Sequence, residues 1–426
     1  MRLIVEPSAL SGAVQIPGSK SHTIRAVVIA SLARGRSQIL RPLDCLDTRS
    51  AVSACTALGA KLGISEGLWT VDGTGGHPQV PDNVIDVGNS GTTLRVTLGT
   101  AALAPGYSVF TGDEQIRSRP VGPLVRSLCD LGARGFTTRG GETPPVVIGG
   151  PLRGGETTIQ CVTSQYLTSL LINCPLADQS STIRVPLLNE RPYVEMTLGW
   201  LERRGIRVQR KGFEFFEIPG GQHYDGFTQA IPADFSSATF FMVAAAVTGS
   251  RVTLLGLDMN DIQGDKAVAS MLEEMGAVVS VNQDGITIEG LGLKGAEFDL
   301  NATPDALPAM AVAGACAEGT TRLVNVPQAR LKETDRIRVM RTELEKMGAE
   351  VEELEDGLVI RRSELRGARV NGHHDHRVVM ALSLAGLVAK GATEVETAEA
   401  AAVTFPTYVD LMCSLGAKMR RIESSG

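Results

Sequence analysis

The sequence predicts an α/β protein made of six copies of one unit, arranged as two similar halves. Three observations predict this fold: two interleaved series of helix ends, alternating apolar stretches that follow them, and one break after the third copy. A chain of 426 residues is long enough for two or three domains with their own cores. We therefore expect two globular halves of three units each.

The first series consists of helix ends of the form apolar-Gly-small. Its glycines lie 68 to 73 residues apart and are Gly59, Gly132, Gly205, Gly276, Gly348 and Gly416. A glycine directly after a helix supplies the left-handed residue that ends it. Alternating apolar sequence with a turn follows each copy, as in residues 278–288, and this pattern predicts a β-hairpin.

The second series consists of Ala-rich runs that each lead into an extended apolar stretch. These runs end 70 to 72 residues apart, at Gly35, Gly106, Asp178, Gly249, Gly319 and Gly391. Each unit of about 70 residues therefore holds two helices and several strands. Pro, Gly and loop residues cluster at 218–221 and at 230–234, which predicts a hinge after the third unit.

Composition narrows the class of protein. A net charge of −6 argues against a nucleic-acid partner, so any anion site must be a local cluster of cations. The seven cysteines are scattered without a Cys-x-x-Cys pair, which indicates reduced thiols in the cytoplasm and no zinc site. The N-terminus lacks the pattern of a signal peptide, and no apolar run reaches about 18 residues, so we expect no membrane partner.

The starts of the six Ala-rich helices hold most of the unusual polar residues. A helix start carries unpaired backbone N–H groups and a partial positive charge, and both suit an anion. The residues in question are Lys20, Ser21 and Arg25; Asn89 and Gly91; Thr163, Ser164 and Gln165; Asp234, Ser236 and Ser237; Pro304 and Asp305; and Asp375, His376 and Arg377. Two facing halves would aim six such starts into one cleft. For Ser236, Ser237 and Asn89, a role as helix caps is an equal alternative.

Two loop segments, residues 115–120 and 330–336, add charge. In the second, Lys332 and Arg336 are four residues apart, so we expect a helix with both cations on one face. Glu333 then points to a neighbouring face. The alternative for this segment is an exposed helix held by surface salt bridges.

Together these segments resemble the 5-enolpyruvylshikimate-3-phosphate synthase family of enolpyruvyl transferases. The resemblance covers essentially the whole chain and rests on residues 17–25, 88–92, 119–120, 164–165, 192–193, 304–305, 332–336, 375–377 and 404–406. It implies two lobes, each of three βαβαββ units in a pseudo-threefold arrangement called an inside-out α/β barrel, with the active site in the interdomain cleft. It also implies a C-terminal lobe of residues 1–18 and 231–426, an N-terminal lobe of residues 19–230, and hinges near 18–20 and 230–234.

The implied reaction moves the enolpyruvyl group of phosphoenolpyruvate onto the 5-hydroxyl of shikimate 3-phosphate and releases phosphate. It runs by addition and then elimination, without a metal or an organic cofactor. The substrates are the only partners that the resemblance implies, and we expect a monomer.

The resemblance also implies roles for individual residues. Proton transfer or charge stabilisation would fall to Lys20, Asp305, Glu333 and His376. Phosphoenolpyruvate would be bound by Lys20, Asn89, Gly91, Arg119, Gln165, Arg336 and Arg377. Shikimate 3-phosphate would be bound by Lys20, Ser21, Arg25, Thr163, Ser164, Gln165, Tyr193, Asp305, Gln328 and Lys332. Guanidinium groups suit the phosphate and the carboxylate of the donor, and two carboxylates can act as acid and base.

Two positions depart from the family pattern. Glu190 stands where many members have a phosphate-binding serine, and Val403 stands where many have a lysine. A carboxylate repels a phosphate unless a cation neutralises it, so the first departure bears on the acceptor's phosphate. The alternatives are therefore an enolpyruvyl transferase with another, unphosphorylated hydroxyl acceptor, or a non-catalytic anion-binding relative. The sister enzymes that act on a UDP-aminosugar carry a reactive cysteine in the loop before the Arg-Pro pair. This chain has Asp113, Glu114 and Gln115 in that loop, which argues against a UDP-aminosugar as the acceptor.

Overall fold

The computed structural model describes residues 1–423, which divide into two compact units. The continuous unit is Gly18–Ile231, and the discontinuous unit combines Met1–Pro17 with the described residues from Pro232 onward. Within the described residues the strands form six four-stranded sheets, three in each unit. No helix of the described residues is both long and apolar enough to cross a membrane.

The chain begins with two strands of the discontinuous unit, β1 (Arg2–Glu6) and β2 (Ser11–Gln15). The continuous unit then contains, in order, α1 (Lys20–Leu32), β3 (Arg36–Leu40), α2 (Leu46–Ala57), β4 (Lys61–Ser65), β5 (Leu68–Asp72), β6 (Ile85–Asp86), α3 (Gly91–Ala101), β7 (Tyr107–Thr111), α4 (Gly122–Asp130), β8 (Arg134–Thr137), β9 (Val146–Gly149), β10 (Gly155–Cys161), α5 (Ser164–Asn173), β11 (Ser181–Leu188), α6 (Arg191–Arg203), β12 (Gln209–Lys211), β13 (Phe215–Ile218) and β14 (Thr228–Ala230). Its sheets have the orders β14-β3-β5-β4, β6-β7-β9-β8 and β10-β11-β13-β12.

The discontinuous unit continues with α7 (Phe235–Val247), β15 (Arg251–Leu255), α8 (Ala267–Glu274), β16 (Val278–Val281), β17 (Gly285–Glu289), β18 (Glu297–Asp299), α9 (Leu307–Cys316), β19 (Thr320–Val324), α10 (Arg336–Lys346), β20 (Glu350–Leu354), β21 (Gly357–Arg361), β22 (Arg369–Asn371), α11 (His376–Val388), β23 (Thr393–Glu396), α12 (Tyr408–Ser414) and β24 (Lys418–Ile422). Its sheets have the orders β16-β17-β15-β2, β18-β19-β21-β20 and β22-β23-β1-β24. The first strand of the chain thus pairs with the last two.

All six sheets share one topology. Each contains one parallel strand pair at one edge and two antiparallel pairs, as in β6 with β7, β7 with β9, and β9 with β8. Six copies of the βαβαββ unit result, so the predicted repeat and the α/β fold class are confirmed. The six glycines of the first series have φ between +70° and +106°, as a left-handed residue after a helix requires.

Three buried helices form the centre of each unit: α1, α3 and α5 in one, and α7, α9 and α11 in the other. Almost every residue of these helices is buried, because the surrounding helices and sheets cover them on all sides. Gly99 lets α3 approach α5 closely, since a Cβ there would lie 2.4 Å from the side-chain nitrogen of Asn173.

Two local predictions were wrong. Lys332 and Arg336 do not share a helix, because α10 begins only at Arg336, where the Asp335 side chain accepts a hydrogen bond from the backbone N–H of Arg338. The capping role considered as an equal alternative for Ser236, Ser237 and Asn89 does not hold either, because none of them is the N-cap. Asp234 caps α7 and Ser90 caps α3, in each case through a side-chain oxygen that accepts a backbone N–H.

Candidate active site

The predicted site residues lie in two sets, one in each unit, and most of them lie at or near the start of a helix. The continuous unit contains Lys20, Ser21, Arg25, Asn89, Gly91, Arg119, Thr163, Ser164, Gln165 and Tyr193. The discontinuous unit contains Asp305, Gln328, Lys332, Glu333, Arg336, His376 and Arg377. Hydrogen bonds and ion pairs connect most members of each set within its own unit.

Lys20 is the first residue of α1, which begins there because the Ser19 side chain accepts the N–H of His22. The Lys20 ammonium contacts the Asp47 carboxylate on α2 at 3.0 Å. The backbone oxygen of Asp47 also accepts a 3.4 Å hydrogen bond from the Thr93 hydroxyl on α3. Asp47, which sequence reasoning missed, therefore links the starts of α1 and α3.

The α3 cluster consists of Asn89, Gly91, Arg95, Arg119 and Gln165. Arg119 donates to the Asn89 side-chain oxygen at 3.4 Å, and Arg95 donates to the Gln165 side-chain oxygen at 2.6 Å. Gly91 leaves room for both guanidinium groups, because a Cβ there would lie 2.7 Å from Arg119 Nη1 and 2.9 Å from Arg95 Nη1. The helix start thus combines two cations with amide groups, which suits a phosphate or a carboxylate.

Arg95 is a member of the α3 cluster that the site prediction omitted. Its guanidinium donates to the Pro120 carbonyl at 3.1 Å and lies over the Tyr166 ring at 5.7 Å. These contacts hold the segment before α4 against α3 and α5. Its position four residues after Gly91, one helical turn into α3, was the only sequence signal for it.

Arg25 is buried between α1, α5 and α6. It donates to the Thr197 hydroxyl at 2.9 Å, to the Tyr193 carbonyl at 3.0 Å and to the Ser21 carbonyl at 3.0 Å. Burial lowers the pKa of Arg25 to about 10, although the neighbouring Tyr193 acts in the opposite direction. The Thr168 hydroxyl is a fourth acceptor at 3.4 Å, so four backbone or hydroxyl oxygens hold this buried cation in place.

Thr163 and Ser164 form the start of α5, where Thr163 is the N-cap. Both bind the carboxylate of Glu190, which approaches from the connection between β11 and α6. Its Oε2 accepts from Ser164 Oγ at 2.7 Å, from the Ser164 N–H at 3.0 Å and from Thr163 Oγ1 at 3.2 Å. A protein carboxylate thus occupies the donors that were predicted to bind the acceptor's phosphate.

The discontinuous unit contains a carboxylate cluster of Asp305, Glu333 and Asp375 around the buried guanidinium of Arg336. Arg336 contacts Asp305 at 2.8 Å, Glu333 at 2.5 Å and Asp375 at 2.8 Å through different nitrogens. Burial alone would lower the pKa of Arg336, but the charges of Asp375, Glu333 and Asp305 outweigh it and raise that pKa well above its usual value. The guanidinium therefore stays charged and holds three carboxylates together.

Two further cations reach Asp305. Arg377 Nη2 lies 3.0 Å from Asp305 Oδ2, and Lys332 Nζ lies 3.8 Å from Asp305 Oδ1. Asp305 follows Pro304 in a short 3₁₀ turn before α9 and remains partly accessible, with 18% of its side chain exposed. This carboxylate is thus positioned by three cations and remains partly exposed.

Asp375, which the sequence analysis names only as a polar residue at a helix start, is the third residue that the site prediction omitted. Its carboxylate caps α11 by accepting the N–H groups of Arg377 and Val378, and it binds Arg336 from the same position. The buried His376 follows as the first residue of α11.

Gln328 lies in the 3₁₀ turn of residues 327–331, where its side-chain nitrogen donates to the Asn301 carbonyl at 3.1 Å.

Glu333, Asp375 and His376 each place one oxygen or nitrogen within 4.8 Å of the others, a spacing that one metal ion could bridge. The Arg336 guanidinium already contacts both carboxylates. Because this cation supplies the positive charge that a metal would bring, the arrangement fits a guanidinium rather than a metal ion.

The loop before α11 is fixed by Glu343 on α10. The buried Glu343 carboxylate contacts His373 Nε2 at 2.9 Å, Lys346 Nζ at 2.8 Å and the Asn371 N–H at 2.9 Å. His373 and His374 both have left-handed backbones, with φ of 52° and 55°. Such residues are strained, and surrounding contacts must hold them. Glu343 thereby positions the segment that carries Asp375, His376 and Arg377.

Comparisons with known proteins show which family this chain belongs to. Residues 4–412 match the family described as EPSP synthase (3-phosphoshikimate 1-carboxyvinyltransferase). The chain is 54% identical over 422 residues to the 3-phosphoshikimate 1-carboxyvinyltransferase of Ruminiclostridium cellulolyticum, covering 99% of this chain and 100% of that protein. It is 55% identical over 423 residues to the protein of that name from Acetivibrio thermocellus, with the same coverage. An EPSP synthase structure from Acinetobacter baumannii superposes with a TM-score of 0.83 at 30% identity, covering 98% of this chain and 99% of that one.

Proposed function

We propose that this chain, which belongs to the EPSP synthase (3-phosphoshikimate 1-carboxyvinyltransferase) family, transfers the enolpyruvyl group of phosphoenolpyruvate to the 5-hydroxyl of shikimate 3-phosphate and releases phosphate. Membership makes it a transferase. The observation that carries the proposal beyond membership is the pair of carboxylates, Asp305 and Glu333, that bind one buried guanidinium, Arg336.

The donor carries a phosphate and a carboxylate, so its binding needs several cations and hydrogen-bond donors. Planar guanidinium groups bind such oxyanions through paired hydrogen bonds. We assign the donor to Lys20 and to Asn89, Gly91, Arg119 and Gln165 of the α3 cluster, together with Arg336 and Arg377. Support for this assignment comes from the contacts of Arg119 with Asn89 and of Arg95 with Gln165, which already hold guanidinium and amide groups together at the start of α3.

Both chemical steps need a proton to move at C3 of the donor. In the addition step C3 gains a proton, the acceptor's 5-hydroxyl loses one, and a bond forms between that oxygen and C2. In the elimination step the bond from C2 to the phosphate oxygen breaks and C3 gives up a proton. We assign these transfers to Asp305 and Glu333, with Lys20 and His376 as further proton-transfer or charge-stabilising groups. Asp305 suits the role because its carboxylate is partly exposed and three cations position it.

The acceptor is assigned to a separate group of residues. Its phosphate would bind Thr163, Ser164 and Lys332, and its ring would bind Arg25, Gln165 and Tyr193. The residues assigned to the acceptor also include Lys20, Ser21, Asp305 and Gln328. The proposal uses no metal or organic cofactor, and it takes the two small molecules as the only partners.

A turnover assay tests the proposal. Purified protein is incubated with phosphoenolpyruvate and shikimate 3-phosphate, and both released phosphate and the mass of the enolpyruvyl product are measured. We expect stoichiometric product and phosphate. Product formed only from unphosphorylated shikimate would indicate another acceptor, and binding without turnover would indicate a non-catalytic relative. Either result would contradict the proposal.

Variants of the carboxylate cluster test the assigned roles. D305A and E333Q should lower kcat by about a hundredfold or more, because a positioned acid or base typically contributes that much. The Kd of shikimate 3-phosphate should change far less in E333Q. Rates equal to those of the unmodified protein would overturn the assignment of proton transfer to these residues.

A further inference from the structure

Glu190 has an unusual environment for a carboxylate. It is 2% exposed, and its φ of 60° places a residue other than glycine in the left-handed region. Such a backbone costs free energy and persists only where neighbouring contacts fix it. It directs the side chain toward the start of α5 instead of toward solvent.

The Glu190 carboxylate occupies a complete set of anion donors. One oxygen accepts three hydrogen bonds, from the Ser164 hydroxyl, the Ser164 N–H and the Thr163 hydroxyl. The N–H belongs to the first residue of a helix, where the helix dipole also favours negative charge. These donors are therefore already bound to an anion that the chain itself supplies.

The other two buried helices of the continuous unit begin differently. Their N-caps are Ser19 and Ser90, whose side-chain oxygens accept backbone N–H groups of α1 and α3. Both caps are uncharged, so the positive helix ends are not neutralised by the cap. At the start of α5 the carboxylate of a neighbouring element, Glu190, accepts the backbone N–H of the first helical residue, whereas the Asp47 carboxylate beside α1 contacts the Lys20 side chain.

We propose that Glu190 is a specificity-determining residue whose carboxylate occupies the binding site of the acceptor's phosphate when no acceptor is bound. The inference rests on the proposed function, because it takes Thr163 and Ser164 as the phosphate's donors. A phosphate and a carboxylate cannot both use the same three donors, so the acceptor displaces Glu190 when it binds. The displacement weakens binding of the phosphorylated acceptor. It therefore lowers the ratio of kcat/KM for the phosphorylated acceptor to kcat/KM for an unphosphorylated one.

The expected size follows from the contacts that are exchanged. Displacing Glu190 breaks three hydrogen bonds to a charged group and brings two anions close together. Removing the carboxylate should therefore tighten binding of the phosphorylated acceptor by about tenfold or more. Binding of unphosphorylated shikimate should change little, since that molecule does not compete for these donors.

The first test measures acceptor preference. The ratio of kcat/KM for shikimate 3-phosphate to kcat/KM for shikimate is determined for the unmodified protein, E190S, E190Q and the control E195Q. Glu195 lies on the same helix, α6, and pairs with Arg210 on the surface. The ratio should rise about tenfold or more in E190S, rise less in E190Q, and stay constant in E195Q. A merely structural role would lower both kcat/KM values together and leave the ratio unchanged.

The second test needs no turnover. The thermal midpoint is measured as inorganic phosphate is raised, in the same four proteins. We expect phosphate to stabilise E190S at concentrations that leave the unmodified protein and E195Q unaffected. If E190S does not fold, E190Q provides the same comparison, because it keeps the shape of the side chain without its charge.

The two proposals fail in distinguishable ways. No product from phosphoenolpyruvate and shikimate 3-phosphate in the unmodified protein refutes the proposed function, whereas the phosphate titration still reports on Glu190. Normal turnover together with an unchanged preference ratio and an unchanged phosphate response in E190S overturns the inference about Glu190.

Discussion

The two units share one topology but begin their buried helices with different chemistry. In the continuous unit the caps of α1, α3 and α5 are hydroxyl side chains, Ser19, Ser90 and Thr163. In the discontinuous unit α7 and α11 are capped by carboxylates, Asp234 and Asp375, and α9 follows a turn that contains Asp305.

This difference decides what each unit can bind. A hydroxyl cap adds no charge, so the caps of α1 and α3 leave the positive helix ends to a ligand's anion, whereas the Glu190 carboxylate occupies the donors at the start of α5. A carboxylate cap neutralises that end and then attracts cations, as Asp375 does with Arg336. The same fold thus supplies anion donors in one unit and a group of carboxylates with their cations in the other.

The largest effect should come from removing the cation of the carboxylate cluster. R336M leaves Asp305, Glu333 and Asp375 without their shared guanidinium, so urea unfolding at neutral pH should show a loss of about 3–5 kcal/mol.

The matched control for this variant is R338M, because Arg338 lies on the same helix with 70% of its side chain exposed. Its stability should change by no more than about 0.5 kcal/mol. Equal losses in R336M and R338M would show that the buried guanidinium does not hold the carboxylate cluster together.

The next largest effect concerns the hydroxyl-capped unit. K20M removes the ammonium at the start of α1, so kcat/KM for phosphoenolpyruvate should fall by at least about a hundredfold, with loss of measurable activity as the extreme. Steady-state kinetics measures the change, and K61M on the exposed strand β4 is the control. Activity retained in K20M would remove Lys20 from the binding and catalytic groups.

A smaller effect is expected at Glu343, which supports the loop before α11. E343Q should lower the free energy of unfolding at pH 7 by about 1–3 kcal/mol, because a buried carboxylate with several partners loses its charge. Burial would raise the pKa of Glu343, but hydrogen bonds from His373 and Lys346 lower it below its usual value of 4.5.

The sign of the pH dependence follows from that direction. A carboxyl group with a lowered pKa in the folded protein contributes stability above its usual pKa, and this contribution is lost as the pH falls through the folded value. The difference between E343Q and the unmodified protein should therefore narrow below about pH 4.5. E345Q, two residues further along α10, should show little difference at either pH, and a constant difference for E343Q would contradict the assignment.

The smallest effect concerns the space at the start of α3. G91A places a methyl group against Arg119 and Arg95, so both guanidinium groups must shift. We expect the KM for phosphoenolpyruvate to rise by about tenfold, because small displacements of positioning groups are costly, while the protein remains folded. G141A is the control, since a Cβ at Gly141 meets no atom within 4 Å. An unchanged KM would indicate that Arg119 does not contact the donor.

The repeat and the helix ends could be predicted from the sequence because they depend on local chemistry. Gly59 and its equivalents end helices through their own backbone conformation, and Ser19 caps α1 from the adjacent position. The prediction of a helix from Lys332 to Arg336 was also wrong for a local reason. Asp335 is the N-cap of α10, so the helix begins only after it.

The carboxylate cluster could not be derived from spacing. Asp305, Glu333 and Asp375 come from three different segments and meet only at Arg336, so their proximity depends on how α9, α10 and α11 pack. The pairing of Lys20 with Asp47 and the direction of Glu190 depend in the same way on contacts between distant segments. Motif resemblance named most of these residues, but not their partners.

Deuterium incorporation tests most directly whether the two carboxylates move a proton at C3 of the donor. The reaction is run in D₂O with phosphoenolpyruvate and shikimate 3-phosphate, and the product is analysed by mass spectrometry. Addition followed by elimination predicts deuterium in the methylene group of the product. The D305A and E333Q variants should form this product more slowly. Product that forms at the normal rate without deuterium at that carbon would contradict proton transfer by Asp305 and Glu333.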